Sequence, residues 1–350
     1  MIVKYELHFL QCGNTTKGGD AIFFHFEDEE NVDHVAIIDG GYHENGKEIV
    51  KMMRSRGLEK IDYVFNTHPD IDHISGLFDV FAAEDISIEK LVMNCPWKDA
   101  DFGLEEFEDG RITFNSLKKR LQESFGKAYE LVKIAEKRGI SVTHPVLGTT
   151  YFNGVLQIVG PSKAHYESFL INSKKTPATI GETKAISKAT TYEPETYDRT
   201  KTIKWLDDAP TSEINETSVI MILSLPNHRI LLTGDAGKNA LYAADSFMRS
   251  KGISRDFSVV QLPHHGSRKN ISPEILCLYR ADQYMISCPP LGMKNGHPSR
   301  RLINKIHEMF PSSSVYMTLM SSLHYDYNYD LPGRSARECG VYDEMDGVAI

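Results

Sequence analysis

The segment Phe65-Asn66-Thr67-His68-Pro69-Asp70-Ile71-Asp72-His73 places two imidazoles and two carboxylates within six residues, directly after an apolar run. Each of the four is a side-chain type that binds divalent metals. A strand fixes the root of such a loop, and the loop then aims several donors at one point. Aspartate and asparagine are also common in turns and at helix caps, but a purely structural role has to account for both histidines and both aspartates at once. Donors of this mixed nitrogen and oxygen kind suit zinc, and with more oxygen donors they suit manganese.

Such a loop needs strands to hold it, and the sequence pattern supplies them. Residues 3–9 alternate strictly, and 21–26 and 34–39 are β-rich, with turn residues between them. Helical spacing follows over 44–56, ends at Gly57, and precedes a strand at 61–66 that runs into the ligand loop. Residues 90–94 read as a strand, 115–137 as one long amphipathic helix closed by Gly139, and 155–159 as a further strand. Residues 218–225 and 229–233 form a hairpin across Pro226-Asn227-His228. Helices at 238–249, 273–279 and 300–309 then alternate with strands at 258–262, 283–287 and 314–319. Strands first clustered and then interleaved with helices, in both halves, imply an α+β fold. Its expected form is a four-layer αβ/βα sandwich, two packed mixed sheets with outer helices. One domain is expected over 1–325, with a mobile insertion at 171–213, where Thr, Lys and Glu dominate without periodicity. Residues 326–350 read as a C-terminal tail.

The composition removes several alternatives. With 350 residues, 41% hydrophobic and 25% charged, the chain matches globular norms and not those of disordered or fibrous chains. The longest apolar runs, such as 219–223, are too short to span a bilayer. The first residues mix charged with apolar side chains and lack the apolar core of a signal peptide. No membrane partner and a cytoplasmic location are therefore expected. The five cysteines form no close pair, which favours reduced thiols. A net charge of −9 argues against long-range attraction to a polyanion, so any nucleic-acid contact needs a local basic patch.

The H-x-D-x-D-H pattern after a strand resembles the signature of metallo-β-lactamase-fold hydrolases, and further segments resemble the family in the same order. They are Ile37-Ile38-Asp39-Gly40-Gly41, Leu231-Leu232-Thr233-Gly234-Asp235, Leu262-Pro263-His264-His265-Gly266-Ser267 and Asn295-Gly296-His297-Pro298. The last two are similar to the subgroup that includes the C-terminal hydrolase domain of the competence protein ComEC. The resemblance implies a dinuclear centre of two divalent ions, Zn2+ or Mn2+. His68 and Asp70 would face one ion and Asp72 and His73 the other, with Asp235 bridging. His297 and one of His264 or His265 would complete the set. Asp70 stands where the wider family usually has histidine, which brings manganese into competition with zinc. Gln11 replaces the family's first acidic residue, while Asp20 matches a later one. Asp39 is expected to buttress the ligand loop by hydrogen bonds, and Asn215 and Ser218 resemble an Asn-x-x-Ser element of structural use.

Adjacent residues on a strand end point in opposite directions, so only one of His264 and His265 is expected at the metals. The other is a general acid or a wall residue. Ser267, Arg268 and Lys269 could contact a phosphate, or form a solvated surface. The expected function is that of a metal-dependent hydrolase, a phosphodiesterase or nuclease that uses a hydroxide activated by two metals. Asp72, Asp235, His264 and His265 would carry the chemistry on a phosphoester substrate, with nucleic acid as one class of partner. Two alternatives stay open: hydrolysis of a small phosphoester or other small ester, and a regulatory binding protein that keeps the fold.

Overall fold

The computed structural model describes residues 1–13, 17–98, 103–180, 205, 210–289, 297–318, 323–326 and 330–331. The first half contains β1 (Ile2–Phe9), β2 (Ala21–Asp28), β3 (Asp33–Gly40), α1 (His43–Ser55), β4 (Lys60–Phe65), α2 (Ile71–Ala82) and β5 (Ser87–Val92). It continues through α3 (Phe114–Ser124), α4 (Gly126–Lys137), β6 (Ser141–Thr143), β7 (Thr150–Tyr151), β8 (Leu156–Gly160) and α5 (Lys163–Asn172). The second half contains β9 (Ile220–Ser224), β10 (Arg229–Leu232), α6 (Lys238–Lys251), β11 (Phe257–Gln261), the single turn α7 (Pro263–Gly266) and α8 (Pro273–Leu278). It ends with β12 (Ala281–Ile286), α9 (Arg300–Met309), β13 (Ser314–Met317), β14 (Leu323–Asp326) and β15 (Asp330–Leu331).

These strands form two sheets, in the orders β15-β14-β1-β2-β3-β4-β5-β6 and β13-β12-β11-β10-β9-β8-β7. Both are mixed. The β1-β2-β3 and β7-β8-β9-β10 stretches are antiparallel, whereas β3-β4-β5-β6 and β10-β11-β12-β13 are parallel. Parallel neighbours require crossovers, and α1, α2, α4, α6, α8 and α9 lie on those crossovers.

The side-chain period of two assigns each strand's residues to two layers. On β3, Ala36 and Ile38 face the space between the sheets, while Val35 and Ile37 meet the helices outside. On β10, Ile230 and Leu232 face inward and Leu231 meets the outer helices of the second sheet. The inner layer joins Phe24, Phe65, Leu156, Met221 and Val259 across the two sheets. The outer layers are closed by Ile49, Met53, Leu77 and Leu131 on one side and by Leu241, Met248, Ile275 and Ile303 on the other. Full burial of each such side chain contributes about 1.5–3 kcal/mol before entropic costs. The four-layer α+β sandwich expected from the pattern is the architecture observed.

Several elements differ from expectation. The single helix over 115–137 is two helices, broken at Phe125 (φ −109, ψ 35). Gly126 is a poor helix residue, and the buried Phe125 ring fills the core at the break. A helix, α2, begins inside the ligand loop, where the polar ligand types hide its apolar spacing. The first part of the expected insertion is packed: Ser173, Thr176 and Thr179 are buried, and the Ile180 amide donates to the Glu106 carbonyl at 2.9 Å. Most of the rest of 171–213 lies outside the described residues. The expected tail begins within structure, since β14 and β15 extend the first sheet; residues 332–350 lie outside the described residues. No helix among the described residues is long and apolar enough to cross a membrane.

α1, α2 and β3 meet backbone to backbone at glycines. A Cβ on Gly76 would lie 1.9 Å from the Gly40 carbonyl oxygen, and one on Gly46 would lie 2.0 Å from that of Gly76. Because backbone cannot yield there, Gly76→Ala should destabilise the fold by about 1–3 kcal/mol, read as a lowered denaturant midpoint. A midpoint equal to that of the parent would show that α2 can shift away from β3 freely.

Candidate metal centre

The carboxyl ends of the parallel strands in both sheets converge on one edge, the place where α/β sheets bind ligands. From the first sheet, β4 delivers Asn66, Thr67 and His68, and the first turn of α2 carries Asp72 and His73. Asp70 occupies the N-cap position of α2 but makes no capping hydrogen bond. Its carboxylate instead lies 3.7 Å from His68 Nε2. From the second sheet, β10 leads through Thr233 and Gly234 to Asp235, and β11 leads to the turn that holds His264 and His265. Gly234 has a positive φ of 48° and passes so close to Thr67 that a Cβ would come within 2.9 Å of its Oγ1.

Asp235 is the point on which the donors close. Its Oδ2 lies 3.6 Å from His68 Nε2 and 3.6 Å from His264 Nε2, and its Oδ1 lies 3.4 Å from His73 Nε2 and 4.0 Å from His265 Nε2. Asp72 Oδ2 lies 3.4 Å from His265 Nε2. Three overlapping triads of donors form, each within 4.8 Å: His68, His73 and Asp235; Asp72, His73 and His265; and Asp20, Asp235 and His265. This grouping differs from the one the resemblance implies, because His73 joins His68 as well as Asp72, and Asp20 enters the set. His297 is buried beside His264, with ring centroids 4.9 Å apart.

Every imidazole around Asp235 is held by its other nitrogen. His73 Nδ1 donates to Asp39 Oδ2 (2.8 Å), and His265 Nδ1 donates to the Ser287 carbonyl (3.0 Å). His264 Nδ1 donates to Asn270 Oδ1 (3.0 Å), an amide oriented by its own donation to the Asp235 carbonyl (2.8 Å). Asn215 Nδ2 lies 3.2 Å from the same His264 nitrogen. Thr67 Oγ1 donates to Asp39 Oδ2 (2.6 Å), which leaves it free to accept from His68 Nδ1 at 3.2 Å. All four Nε2 lone pairs are thereby turned toward the centre, the arrangement that metal-binding histidines require. Asp39 accepts four hydrogen bonds, from the Thr67 amide, Thr67 Oγ1, Asn66 Nδ2 and His73 Nδ1. It is the buttress expected of it, held at a left-handed φ of 55°.

The inner ends of this set lack partners. His68 Nε2, His73 Nε2, His265 Nε2, Asp235 Oδ1, Asp20 Oδ1 and His297 Nδ1 are all buried without a hydrogen bond. Buried polar atoms are rarely left unsatisfied, and five of them around a sixth, Asp235 Oδ1, fit a cation site. Asp20 is further positioned by Gln261 Nε2, which donates to its Oδ2 at 3.0 Å.

Two expectations change here. His264 and His265 both aim at Asp235, because the turn that holds them is left-handed (φ 50° and 55°) and not extended. Ser267 is fully buried and its Oγ accepts from the Lys269 amide (3.3 Å), so its hydroxyl serves the turn and does not face a substrate. Arg268 and Lys269 follow it, half-buried. Asn270 and Gln261 were not singled out from the sequence, where nothing marks an isolated amide as a partner of a distant acid. Asn215, expected to be structural, reaches His264.

The metal-free charges follow from this packing. Burial opposes charge on His265, but Asp235 and the Asp72 carboxylate 3.4 Å away outweigh it and push the imidazole up to about 9. His73 rises well above the ordinary value for the same reason, burial being offset by Asp235 and Asp39. Burial would raise Asp72, yet His265 and His73 hold it down to about 2. His297 is pushed down to about 2 by burial and then by His264 and His265, so it stays neutral. Protons on His73 and His265 therefore stand where metal charge would otherwise be.

The sign of the resulting pH dependence is opposite in the two forms. Without metal, the stability contributed by His265 is complete below its unfolded value of about 6.5 and is lost as pH rises through about 9. Metal binding needs these imidazoles deprotonated. Metal-stripped protein should thus show a falling Tm over that interval, while protein in excess zinc should hold or gain stability. A Tm of the stripped protein that climbs with pH would mean the imidazoles are not charged in the folded state.

Residues 29–126 match the family model of the metallo-beta-lactamase superfamily, a stretch that includes Asp39, His68, Asp70, Asp72 and His73. No curated protein matches the sequence. Among solved structures, similarity is found to a diphosphatase from the PhnP family, at 12% identity and TM-score 0.39, covering 93% of this chain and 99% of that one. Zn(2+)-bound PqqB from Methylobacterium extorquens is similar at 10% identity and TM-score 0.36, over 84% and 79% of the two chains. A class B3 di-zinc metallo-beta-lactamase from an Alaskan soil metagenome gives 10% identity and TM-score 0.30, over 72% and 76%. The match covers residues 29–126 of a chain that folds as two mixed sheets flanked by helices.

Proposed function

We propose that this protein is a metal-dependent hydrolase of phosphodiester bonds. The observation that carries the reading is the convergence of the Nε2 atoms of His68, His73 and His265 with carboxylate oxygens of Asp20 and Asp235, all buried without a hydrogen bond, beside Asp72. His68, Asp70, Asp72, His73, Asp235, His265 and His297, with Asp20 added, would hold two divalent cations, zinc or manganese. When bound, such a pair acidifies water and offsets charge on the oxygens of the reacting group. Donors come from both sheets, so the sandwich acts as one catalytic unit.

The remaining roles fall to groups at the open side. Hydrolysis forms a bond from phosphorus to a water oxygen, breaks the bond to the leaving oxygen, and transfers a proton to that oxygen. His264 is the least buried imidazole of the set, with 23% of its side chain exposed, and is the group we assign to carry that proton on Nε2. Arg268 and Lys269, two residues of the same loop, would meet the non-bridging oxygens. The resemblance of the H-H-G-S and G-H-P segments to the ComEC-like subgroup supports phosphodiesters over lactams. The net charge of −9 favours a small phosphodiester over a long nucleic acid. Salt separates these, because a polyanion substrate weakens steeply as salt rises.

Two variants test the assignment. Asp235→Asn keeps shape and removes charge, and should lower kcat for bis-p-nitrophenyl phosphate by about 100-fold or more with little change in fold. His264→Ala should keep its metal content and slow esters with poor leaving groups about 100-fold, while p-nitrophenyl esters lose far less. Near-parental turnover by Asp235→Asn with metals in excess would remove Asp235 from the centre. An equal loss on both ester types would remove His264 as proton carrier.

A further inference from the structure

Gln261 is a primary amide set into the apolar inner layer of the sandwich. It ends β11 two residues after Val259, so the period of two places both side chains between the sheets. Only 2% of Gln261 is exposed, and an amide buried this deeply is costly unless it is hydrogen-bonded.

Its partners belong to both halves of the donor set. The Thr233 amide donates to Gln261 Oε1 (3.0 Å), and Gln261 Nε2 donates to Asp20 Oδ2 (3.0 Å). Thr233 Oγ1 also donates to the Gln261 carbonyl (2.9 Å), so side chain and main chain are both tied to the segment that leads through Gly234 to Asp235. Asp20 enters from the first sheet, just before β2, with its own amide donating to the Asp72 carbonyl at 3.2 Å. One amide thus spans a donor segment of each sheet.

The direction of this bridge is fixed. A backbone N–H can only donate, so Oε1 must face Thr233 and an N–H must face Asp20. That N–H occupies Asp20 Oδ2 and leaves Oδ1 buried without a hydrogen bond. The carboxylate so held is the one grouped with Asp235 and His265 within 4.8 Å. One oxygen is spent on position, and the other is left for a cation.

We propose that Gln261 is a positioning residue of the metal centre: through Asp20 and Thr233 it sets the spacing of the Asp20 and Asp235 carboxylates, which with His265 serve one of the two ions. This rests on the two-metal reading above and adds to it a residue that touches neither ion nor substrate.

The test compares the parent, Gln261→Glu and the double variant Gln261→Glu/Asp20→Asn, each stripped of metal and titrated with zinc against a chelator of known affinity. Gln261→Glu keeps an oxygen for the Thr233 amide but sets a second carboxylate against Asp20. One ion should then bind about 10–100-fold more weakly, the scale for loss of a partner that orients a ligand, while the other ion is unaffected. Gln261→Met, which removes the N–H without adding charge, should weaken the same ion and serves where Gln261→Glu does not fold. The double variant reverses the polarity of the bridge, with the amide donor at position 20 and the carboxylate acceptor at position 261. Its metal-free Tm should return toward that of the parent, yet the weakened ion should stay weak because the Asp20 carboxylate is gone. Two ions held with parental affinity by Gln261→Glu or Gln261→Met, or recovery of the second ion along with Tm in the double variant, overturns the positioning role while the two-metal reading stands. Folded parent that binds no zinc overturns that reading and the positioning role with it.

Discussion

A carboxylate as buried as Asp235 is tenable only with positive charge beside it, since transfer of an unpaired charge from water to the interior is prohibitive. Within 4.0 Å its ion-pair partners among the described residues are His68, His73, His264 and His265. Imidazoles are conditional cations. They neutralise Asp235 while protonated and exchange their protons for metal when metal is present, so the same packing is consistent with both forms. Asp20 and Asp72 add negative charge to the same volume, which strengthens the demand for cations beyond what histidines alone supply.

Much of the surrounding structure serves that arrangement. The sandwich brings the carboxyl ends of two parallel strand sets to one edge, and glycines at 40, 46 and 76 let α2 sit close enough to β3 for His73 to reach Asp39. Asp39, His264 and His265 occupy left-handed backbone, which costs roughly 1–3 kcal/mol at each non-glycine position. The fold bears that strain where donor orientation depends on it.

The parts legible in the sequence were those encoded by short-range pattern. The period of two gave β3, β4 and the β9–β10 hairpin, and the two-layer use of alternating residues follows from it. The cluster at 68–73 was visible because four donor types fall within six residues, and Asp235 and Asp39 because each stands at a strand end beside glycine. The rest depended on contacts between distant residues or on backbone shape. Gln261 meets Asp20 across 241 positions, a distance over which no local pattern reports. The convergence of both His264 and His265 was missed because a strand end was assumed where the chain turns left-handed. Ser267 looked available for a phosphate because its burial comes from tertiary packing, and α2 was hidden because its first turn spends its residues on ligands instead of core.

Every role proposed for these residues requires that the buried donor set hold two divalent ions. Elemental analysis of folded protein, stripped of metal, exposed to zinc or manganese and freed of excess by gel filtration, measures this directly. About two ions per chain are predicted, as dinuclear hydrolytic centres require. Folded protein that retains none would contradict it, and would leave Asp235 Oδ1 and the five unpartnered atoms around it without an explanation.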